Sequence, residues 1–350
     1  MRRRLRVLVL MHEDLVPPTA LPADHRSRIY PWRTEHDVLS TLGRLGHEVR
    51  ALGVRDDLGV IRDALADFAP DITFNVLEEF HGVTMYAQAV ISFVELMRQP
   101  YTGCNPRGLG LAHDKLLTKK ILTYHRIPTP RCTFYPRGER VRRHRRPQFP
   151  LIVKSSFEDA SLGISQASVV YSEAKLEERV RFMHERIGTD AIAEEYVEGR
   201  ELYVGVLGSE RLRTLPVWEM TFNRWPDGAP RIATERVKWS KAYQDERGIR
   251  TGPALDLDPA TQRRISRVAR HVYRALELSA YARIDLRLGP DGTVWVIEAN
   301  GTPDLARDED FAASAAAAGI DYSELIQRIL NLGLAWQPKW KEVEVEEPVG

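Results

Sequence analysis

RIDLRLGPDGTVWVIEANGTP, Arg283–Pro303, reads as a β-hairpin. Two alternating runs flank Gly289-Pro290-Asp291-Gly292, whose proline and glycines supply a tight turn. With Leu288 facing Thr293, Asp285 falls opposite Val296 and Arg283 opposite Glu298. Strand side chains alternate with period 2, so Arg283, Asp285, Arg287, Glu298 and Asn300 share one face. Grouped carboxylates withdrawn from water repel one another unless a cation or donor compensates. Asp, Glu and Asn oxygens suit Mg²⁺, a hard ion that keeps waters and phosphate oxygens in its shell. The alternative is a solvated face of cross-strand Arg–carboxylate pairs, and a register slip of one residue would separate the two carboxylates.

The chain around this hairpin has 350 residues, enough for two or three domains. It is 43% hydrophobic and 28% charged, an ordinary globular composition. A net charge of +1 gives no global field for nucleic acid or an anionic membrane. Two cysteines, Cys104 and Cys132, exclude a disulfide scaffold and fit a reducing cytoplasm. MRRRLRVLVLM invites a signal-peptide reading, but its short apolar run meets His12-Glu13-Asp14 at once and reads as a first strand. No stretch approaches the roughly 18 apolar residues of a membrane span.

Leu5–Met11 is that strand, followed by a Pro-rich segment too long for a turn, over residues 15–34. Thr34–Gly46 is a helix with Val38, Leu42 and Leu45 at helical spacing and a C-cap glycine. Glu48–Val54 is a strand, Gly59–Phe68 a helix and Asp71–Leu77 a third strand. This alternation predicts an α/β fold with a parallel sheet. Helices over Thr84–Met97 and His113–His125 follow, and Ile127-Pro128-Thr129-Pro130 marks a junction between domains.

RGERVRRHRR, Arg137–Arg146, is a polyanion patch or a solvated loop; nothing aromatic interleaves it, which favours the loop. Lys154 interrupts the apolar strand Phe149–Ser155 and requires an anion, and Phe157–Ser165 is a small-residue loop able to offer N–H groups to phosphate. A helix over Leu176–Glu185 and strands over Ala191–Val197 and Leu202–Leu207 precede Thr214–Ala254, which four prolines break up. Pro259–Leu278 is amphipathic helix, Tyr322–Leu334 another, and a charged tail follows Trp336.

The ordered fragments FNVLEEFHG, PYTG, HDKLLTKK, IPTP, LIVKSS, EDASLGIS, EEYVEGRE and RIDLRL…VIEAN resemble the D-alanine–D-alanine ligases of the ATP-grasp superfamily, from Leu5 to Leu334. The resemblance implies mixed α/β, three-domain ATP-grasp architecture. Residues 1–110 would form an N-terminal parallel-sheet domain, 111–193 a central subdomain, 194–336 a C-terminal subdomain with the metal site, and 337–350 a tail. It also implies ATP, two Mg²⁺ ions (or Mn²⁺), amino-acid substrates and a homodimer. Carried over by motif, Lys115 and Lys154 would contact phosphates under a loop containing Ser161, Leu162 and Gly163. Glu194 and the backbone of Glu195, Tyr196 and Val197 would hold adenine, and Glu201 the ribose. Lys241 would reach the terminal phosphate; Asp285, Glu298 and Asn300 would ligate metal; Arg283 would stabilise the reacting oxyanions.

The implied activity is amide-bond formation between two amino acids through an acyl phosphate. Departures fall on the substrate half. Ala160-Ser161 stands where the family commonly has paired serines, and Ala242 where it has tyrosine, with Tyr243 one residue on. Glu13 is the candidate for a glutamate that helps close the first amino-acid site. His81 either touches a substrate carboxylate or is a hydrogen-bonded loop histidine. Beyond Asn300 the family reads Thr-Ser-Pro-Gly-Met, whereas this chain has Gly301-Thr302-Pro303-Asp304, so Gly301 and Asp304 would bear on the second substrate. A ligase of another specificity and a nucleotide-binding regulatory protein without turnover are the competing readings.

Overall fold

A computed structural model describes residues 3–22, 30–139, 141, 148–157 and 162–338. Strand β1 (Arg6–His12), helix α1 (Arg33–Arg44), strand β2 (Glu48–Val54), helix α2 (Gly59–Phe68) and strand β3 (Ile72–Asn75) alternate as their spacing predicts. β1 lies between β2 and β3 and is parallel to both. Its residues Val7 to Met11 are all buried, the continuous apolar run of a strand covered on both faces. Gly46, at φ +87°, ends α1, and the His47 N–H closes back to the Leu42 carbonyl at 3.2 Å.

The helix expected over Thr84–Met97 opens on a 3₁₀ turn, Thr84–Tyr86, that leads into α3 (Ala87–Leu96). A further helix, α4 (Pro106–His113), precedes the one expected over His113–His125, which is α5 (Lys115–Tyr124). Asp114 leaves helical geometry between them, and its carboxylate caps α5 through the Leu117 N–H at 2.8 Å.

A small antiparallel sheet follows: β4 (Cys132–Tyr135), β5 (Leu151–Ser155), β6 (Val169–Val170), then α6 (Glu173–Phe182) and β7 (Ala191–Glu195), in the order β4-β7-β5-β6. Its core is its own, with Tyr135, Val153, Leu176, Val180 and Met183 packed together. Most of the arginine-rich run 137–146, and the tail beyond Pro338, lie outside the described residues.

The large sheet is built from β8 (Arg200–Leu207), β9 (Arg213–Thr214), β10 (Trp218–Phe222), β11 (Ile249–Pro253), β12 (Tyr281–Leu288) and β13 (Val294–Asn300). The strand order is β11-β10-β8-β12-β13, with β9 added to β8. Between β10 and β11, in the region the prolines obscure, stand two short helices, α7 (Glu235–Trp239) and α8 (Lys241–Arg247). Helix α9 (Pro259–Ala275) is capped by Asp258 and buries Ile265, Ala269 and Val272. The last described helices are α10 (Asp310–Ala317) and α11 (Tyr322–Ala335). No described helix is long and apolar enough to cross a membrane.

Two cores join the first and last sheets. One packs Leu8 and Leu10 of β1 with Leu109 and Leu122 of α4 and α5 and with Leu202, Ile284 and Leu286 of the large sheet. The other packs Val7, Val9 and Phe74 against Ile326, Ile329 and Leu330 of α11. Each such side chain contributes about 1.5–3 kcal/mol on burial, so these cores hold the large sheet firmly in place. α11 approaches so closely that a Cβ on Gly333 would lie 2.4 Å from the Tyr101 carbonyl oxygen and 2.9 Å from Ile72 Cδ1. Backbone cannot retreat as a side-chain tip can, so Gly333→Ala is expected to cost about 1–3 kcal/mol. A thermal melt checks this, and an unchanged Tm would contradict the packing.

Candidate active site

The hairpin forms, but in a different register from the one its turn suggests. Leu288 pairs with Val294, Asp285 with Glu298 and Arg283 with Asn300, and a bulge between Asp285 and Leu286 leaves Ile297 unpaired. The turn is closed by Gly289 N–H to the Thr293 carbonyl at 2.9 Å. The inserted residue changes the parity of β13. The two carboxylates therefore stand directly opposite each other, where the simple register set Asp285 against Val296. Arg283, Asp285, Arg287, Glu298 and Asn300 still share one face, for this different reason.

That face forms one wall of an open cleft between the small and the large sheet. Asp285, Arg287 and Glu298 line it from the hairpin, Lys154 and Glu194 from the small sheet, Lys115 from the start of α5 and Lys238 from α7. Tyr196, Val197 and Glu201 line it where β7 passes into β8.

Charge in the cleft is arranged around Glu298. Burial disfavours its ionised form, yet Lys115 foremost, then Lys154, Lys238 and Arg283, hold the carboxyl at about 2. The Lys115 Nζ lies 3.9 Å from it. This depressed value contributes stability that is present above about pH 4.5 and lost as pH falls toward 2, so Glu298 is an anion at any ordinary pH. Burial pushes Asp285 the other way, against the pull of Arg283 and with a further push from Glu298. Arg283 grips both Asp285 oxygens, Nε to Oδ1 at 2.7 Å and Nη2 to Oδ2 at 2.8 Å, with its guanidinium 4.9 Å over the Tyr203 ring. Arg283 is thus bound to Asp285 and is not among the cleft-lining residues.

Lys154 meets its anion: its Nζ is 3.1 Å from Glu194, whose other oxygen is 3.2 Å from Lys119 Nζ. Glu194, 1% exposed, is clamped between two lysines, so its carboxylate positions them while it lines the cleft. Lys119 and Arg287 carry no assigned role in the sequence reading. Arg287 is buried, and its guanidinium donates to the Val197 carbonyl at 2.9 Å, Glu201 at 2.7 Å, the Tyr196 hydroxyl at 3.4 Å and the Arg231 carbonyl. Glu201 also accepts from the Tyr203 hydroxyl at 3.0 Å. The available signal for Arg287 was its parity on the hairpin face.

Lys241 requires correction. It is exposed and paired with Asp245 at 3.6 Å, whereas Lys238 lines the cleft. Ser240 ends α7 and caps α8, and the change of direction between the two helices separates the two lysines. Glu13 is half-exposed at the end of β1 and pairs with Arg55, beside an Arg55–Asp14 contact of 2.8 Å. His81 is exposed, at φ +56°, and 3.9 Å from Asp56, a loop histidine outside the cleft lining. Gly301 is buried, and a Cβ there would meet Leu109 at 3.0 Å and Cys104 at 3.4 Å, so the close packing of α4 admits no side chain at this position. Asn300 turns its Oδ1 to the Thr302 N–H at 2.8 Å.

Ser161 falls outside the described residues. Leu162 and Ile164 line the cleft, and Gly163 sits at φ +69° with its carbonyl accepting from Arg179. Arg179 also donates to Ser168 at 2.9 Å, so one buried guanidinium anchors this loop.

Asp304 accepts from Thr34 Oγ1 at 2.7 Å and from the Ala306 N–H at 2.8 Å. Beside Thr34, Glu35 is buried, and burial foremost, with Asp304 adding to it, raises its carboxyl to about 7. A raised carboxyl contributes stability that is fully present below about pH 4.5 and lost as pH rises through 7. Glu35→Gln is therefore expected to raise Tm relative to the parent at pH 8 but not at pH 5. A difference independent of pH would contradict the ionisation.

The oxygen set of Asp285, Glu298 and Asn300 fits a hard divalent cation: two facing carboxylates and an amide, with no sulfur or imidazole. Among the described residues no group of three or more His, Cys, Asp and Glu gathers for a metal, so water and phosphate oxygens would complete such a shell.

Residues 137–331 match the family model described as the D-ala D-ala ligase C-terminus. The uncharacterized protein y4sG of Sinorhizobium fredii is 32% identical over 313 residues, covering 86% of this chain and 88% of that protein. The D-alanine–D-alanine ligase of Bacillus anthracis is 26% identical, covering 86% and 91%. Its crystal structure complexed with ATP superposes with a TM-score of 0.72 at 21% identity, over 95% of this chain and 98% of that one. The VanG D-Ala:D-Ser ligase of Enterococcus faecalis gives a TM-score of 0.68 at 17% identity, over 95% and 100%. With its parallel N-terminal sheet, its cleft between two further sheets and a family match over more than half its length, the chain belongs to the D-alanine–D-alanine ligase family of ATP-dependent ligases.

Proposed function

We propose that the protein joins two amino acids by an amide bond, activating the first carboxylate with ATP as an acyl phosphate. The observation that carries this is the pairing of Asp285 with Glu298 at a cleft lined by Lys115, Lys154 and Lys238. Direct attack of an amine on a carboxylate fails because oxide is a poor leaving group. Transfer of a phosphoryl group to that carboxylate supplies a good one, and in such transfers a protein chiefly positions groups and offsets charge.

Two unit charges about 4 Å apart interact by ~1 kcal/mol in water and ~4 at an effective dielectric near 20. The largely buried Lys115 and Lys154 therefore act more strongly than lysines on a surface. Lys115, Lys154 and Lys238 would hold the phosphate oxygens, and Asp285 and Glu298 would hold Mg²⁺, which shields the charge that builds on the transferring phosphoryl group. Tyr196, Val197 and Glu201, fixed by Arg287, would hold the nucleoside. The expulsion of phosphate as the amine attacks completes the amide.

A coupled ADP-release screen over amino-acid pairs of both chiralities, with mass spectrometry of the product, tests this reading. ADP formation that requires two amino acids is expected, and its absence across the panel would overturn it. Within that assay Lys238→Ala is expected to lower kcat/KM for ATP by about 10–100-fold, the scale of lost charge-assisted phosphate contacts. Lys241→Ala should change it less than about threefold, since an exposed ion pair contributes little. The reverse order would restore Lys241 to the site.

A further inference from the structure

Lys119 stands one helical turn after Lys115 on α5, so the two side chains share a face. Lys115 lines the cleft, and Lys119 does not. The Lys119 side chain is 4% exposed, with its ammonium 3.2 Å from Glu194. It also donates to Thr129 Oγ1 at 3.0 Å, and that hydroxyl donates to the Val296 carbonyl at 2.9 Å. The Val296 N–H donates in turn to the Pro128 carbonyl at 2.8 Å, so the 128–129 segment and β13 hold Lys119 behind the cleft wall.

A lysine there is costly, since leucine or methionine would fill the space without a charge, and burial draws its ammonium below the ordinary lysine range against the pull of Glu194. Compensating Glu194 does not by itself account for it. Lys154 already lies 3.1 Å from that carboxylate, and one ammonium balances one carboxylate. Lys154, Glu194 and Lys119 together therefore carry one positive charge in excess, on side chains no more than 6% exposed. The contact of Lys154 with Glu194 Oε1 lacks hydrogen-bond alignment among the described residues, which leaves the Lys154 N–H groups to the cleft that it lines.

We infer that Lys119 is a positioning residue for nucleotide binding: it offsets Glu194, so that Lys154 presents an uncancelled positive charge to a phosphate group in the cleft. Without it, Glu194 would oppose Lys154 alone, and the pair would meet phosphate as a neutral unit. The inference rests on the ligase reading for its ligand, the phosphates of ATP; the charge balance itself stands on α5, β5 and β7.

Isothermal calorimetry of the full chain, with Mg²⁺ and matched ionic strength, measures affinity for ADP and for tripolyphosphate, which has no base to touch Glu194. Lys119→Met is expected to weaken both ligands by about tenfold or more, the scale of one charge lost beside a partly dry site. Lys119→Gln, which keeps an N–H group, serves as a second neutral variant, and thermal melts show which variants fold. The double variant Lys119→Met, Glu194→Gln leaves Lys154 charged and unopposed. Its affinity for tripolyphosphate should return to within about threefold of the parent, a coupling that separate structural losses do not produce. A double variant as weak as Lys119→Met, or a Lys119→Met affinity equal to the parent's, overturns the inference. Glu194→Gln should bind tripolyphosphate no more weakly than the parent, and weaker binding overturns the inference whatever the Lys119 variants do. A parent that binds neither ligand removes both the inference and the nucleotide site. If both ligands bind but no amino-acid pair yields ADP, the ligase reading alone fails and the order of affinities still decides the inference.

Discussion

Glu298→Gln is expected to lower turnover by about two to three orders of magnitude, the scale of removing a metal-held charge stabiliser, while far-UV circular dichroism stays unchanged. The substitution preserves shape and removes one charge. That charge is the focus of the cleft: Lys115, Lys154 and Lys238 all hold it ionised, and it faces Asp285 across the bulged hairpin. A glutamine oxygen is a weaker ligand for a hard cation and brings no charge to balance three lysines. The loss should appear with a raised requirement for Mg²⁺. Turnover equal to the parent at saturating Mg²⁺ would remove Glu298 from the metal site.

Arg283→Ala is expected to be the most destabilising substitution in the site. Both Asp285 oxygens rest on this guanidinium, and both residues are largely buried. Removing one partner of a buried pair costs about 3–5 kcal/mol, because the remaining charge has neither water nor counter-ion. Pairing it with Asp285→Asn removes the stranded charge, so the double variant should recover part of the Tm without recovering turnover. A double variant no more stable than Arg283→Ala would place the loss in the packing of Arg283 over Tyr203 and not in its charge.

Much of this architecture is legible in the chain itself, where local spacing and tertiary burial agree. In the N-terminal sheet the apolar run of β1, the stripe of α1 and the glycine at position 46 all point to one answer, and the strands pair in parallel as that alternation requires. The hairpin was legible as a hairpin, but its register was not. A bulge at Ile297 leaves no mark in composition, since an apolar residue there suits either parity. Lys238 and Lys241 are three residues apart, and only the break at Ser240, with α7 and α8 on either side, decides which one enters the cleft. The close packing of Gly301 is also hidden in the sequence, because Leu109 and Cys104, which lie against it, come from a distant segment. Arg287 illustrates the same limit, because four acceptors brought from three separate segments give it its position. The start of α5, by contrast, is legible, because the Asp114 cap falls one residue after the His113 at which the sequence places that helix.

In the proposed reaction a substrate carboxylate is phosphorylated in the cleft between Lys154, Lys238 and the Asp285–Glu298 pair. Isotope transfer tests it most directly. The first amino acid is supplied with ¹⁸O in its carboxylate, together with ATP, Mg²⁺ and the amine-donating substrate, and the released phosphate is analysed by mass spectrometry. The carboxylate oxygen that attacks phosphorus stays with it when the amine displaces phosphate, so one ¹⁸O per phosphate is predicted. Unlabelled phosphate, or AMP in place of ADP, would contradict the account.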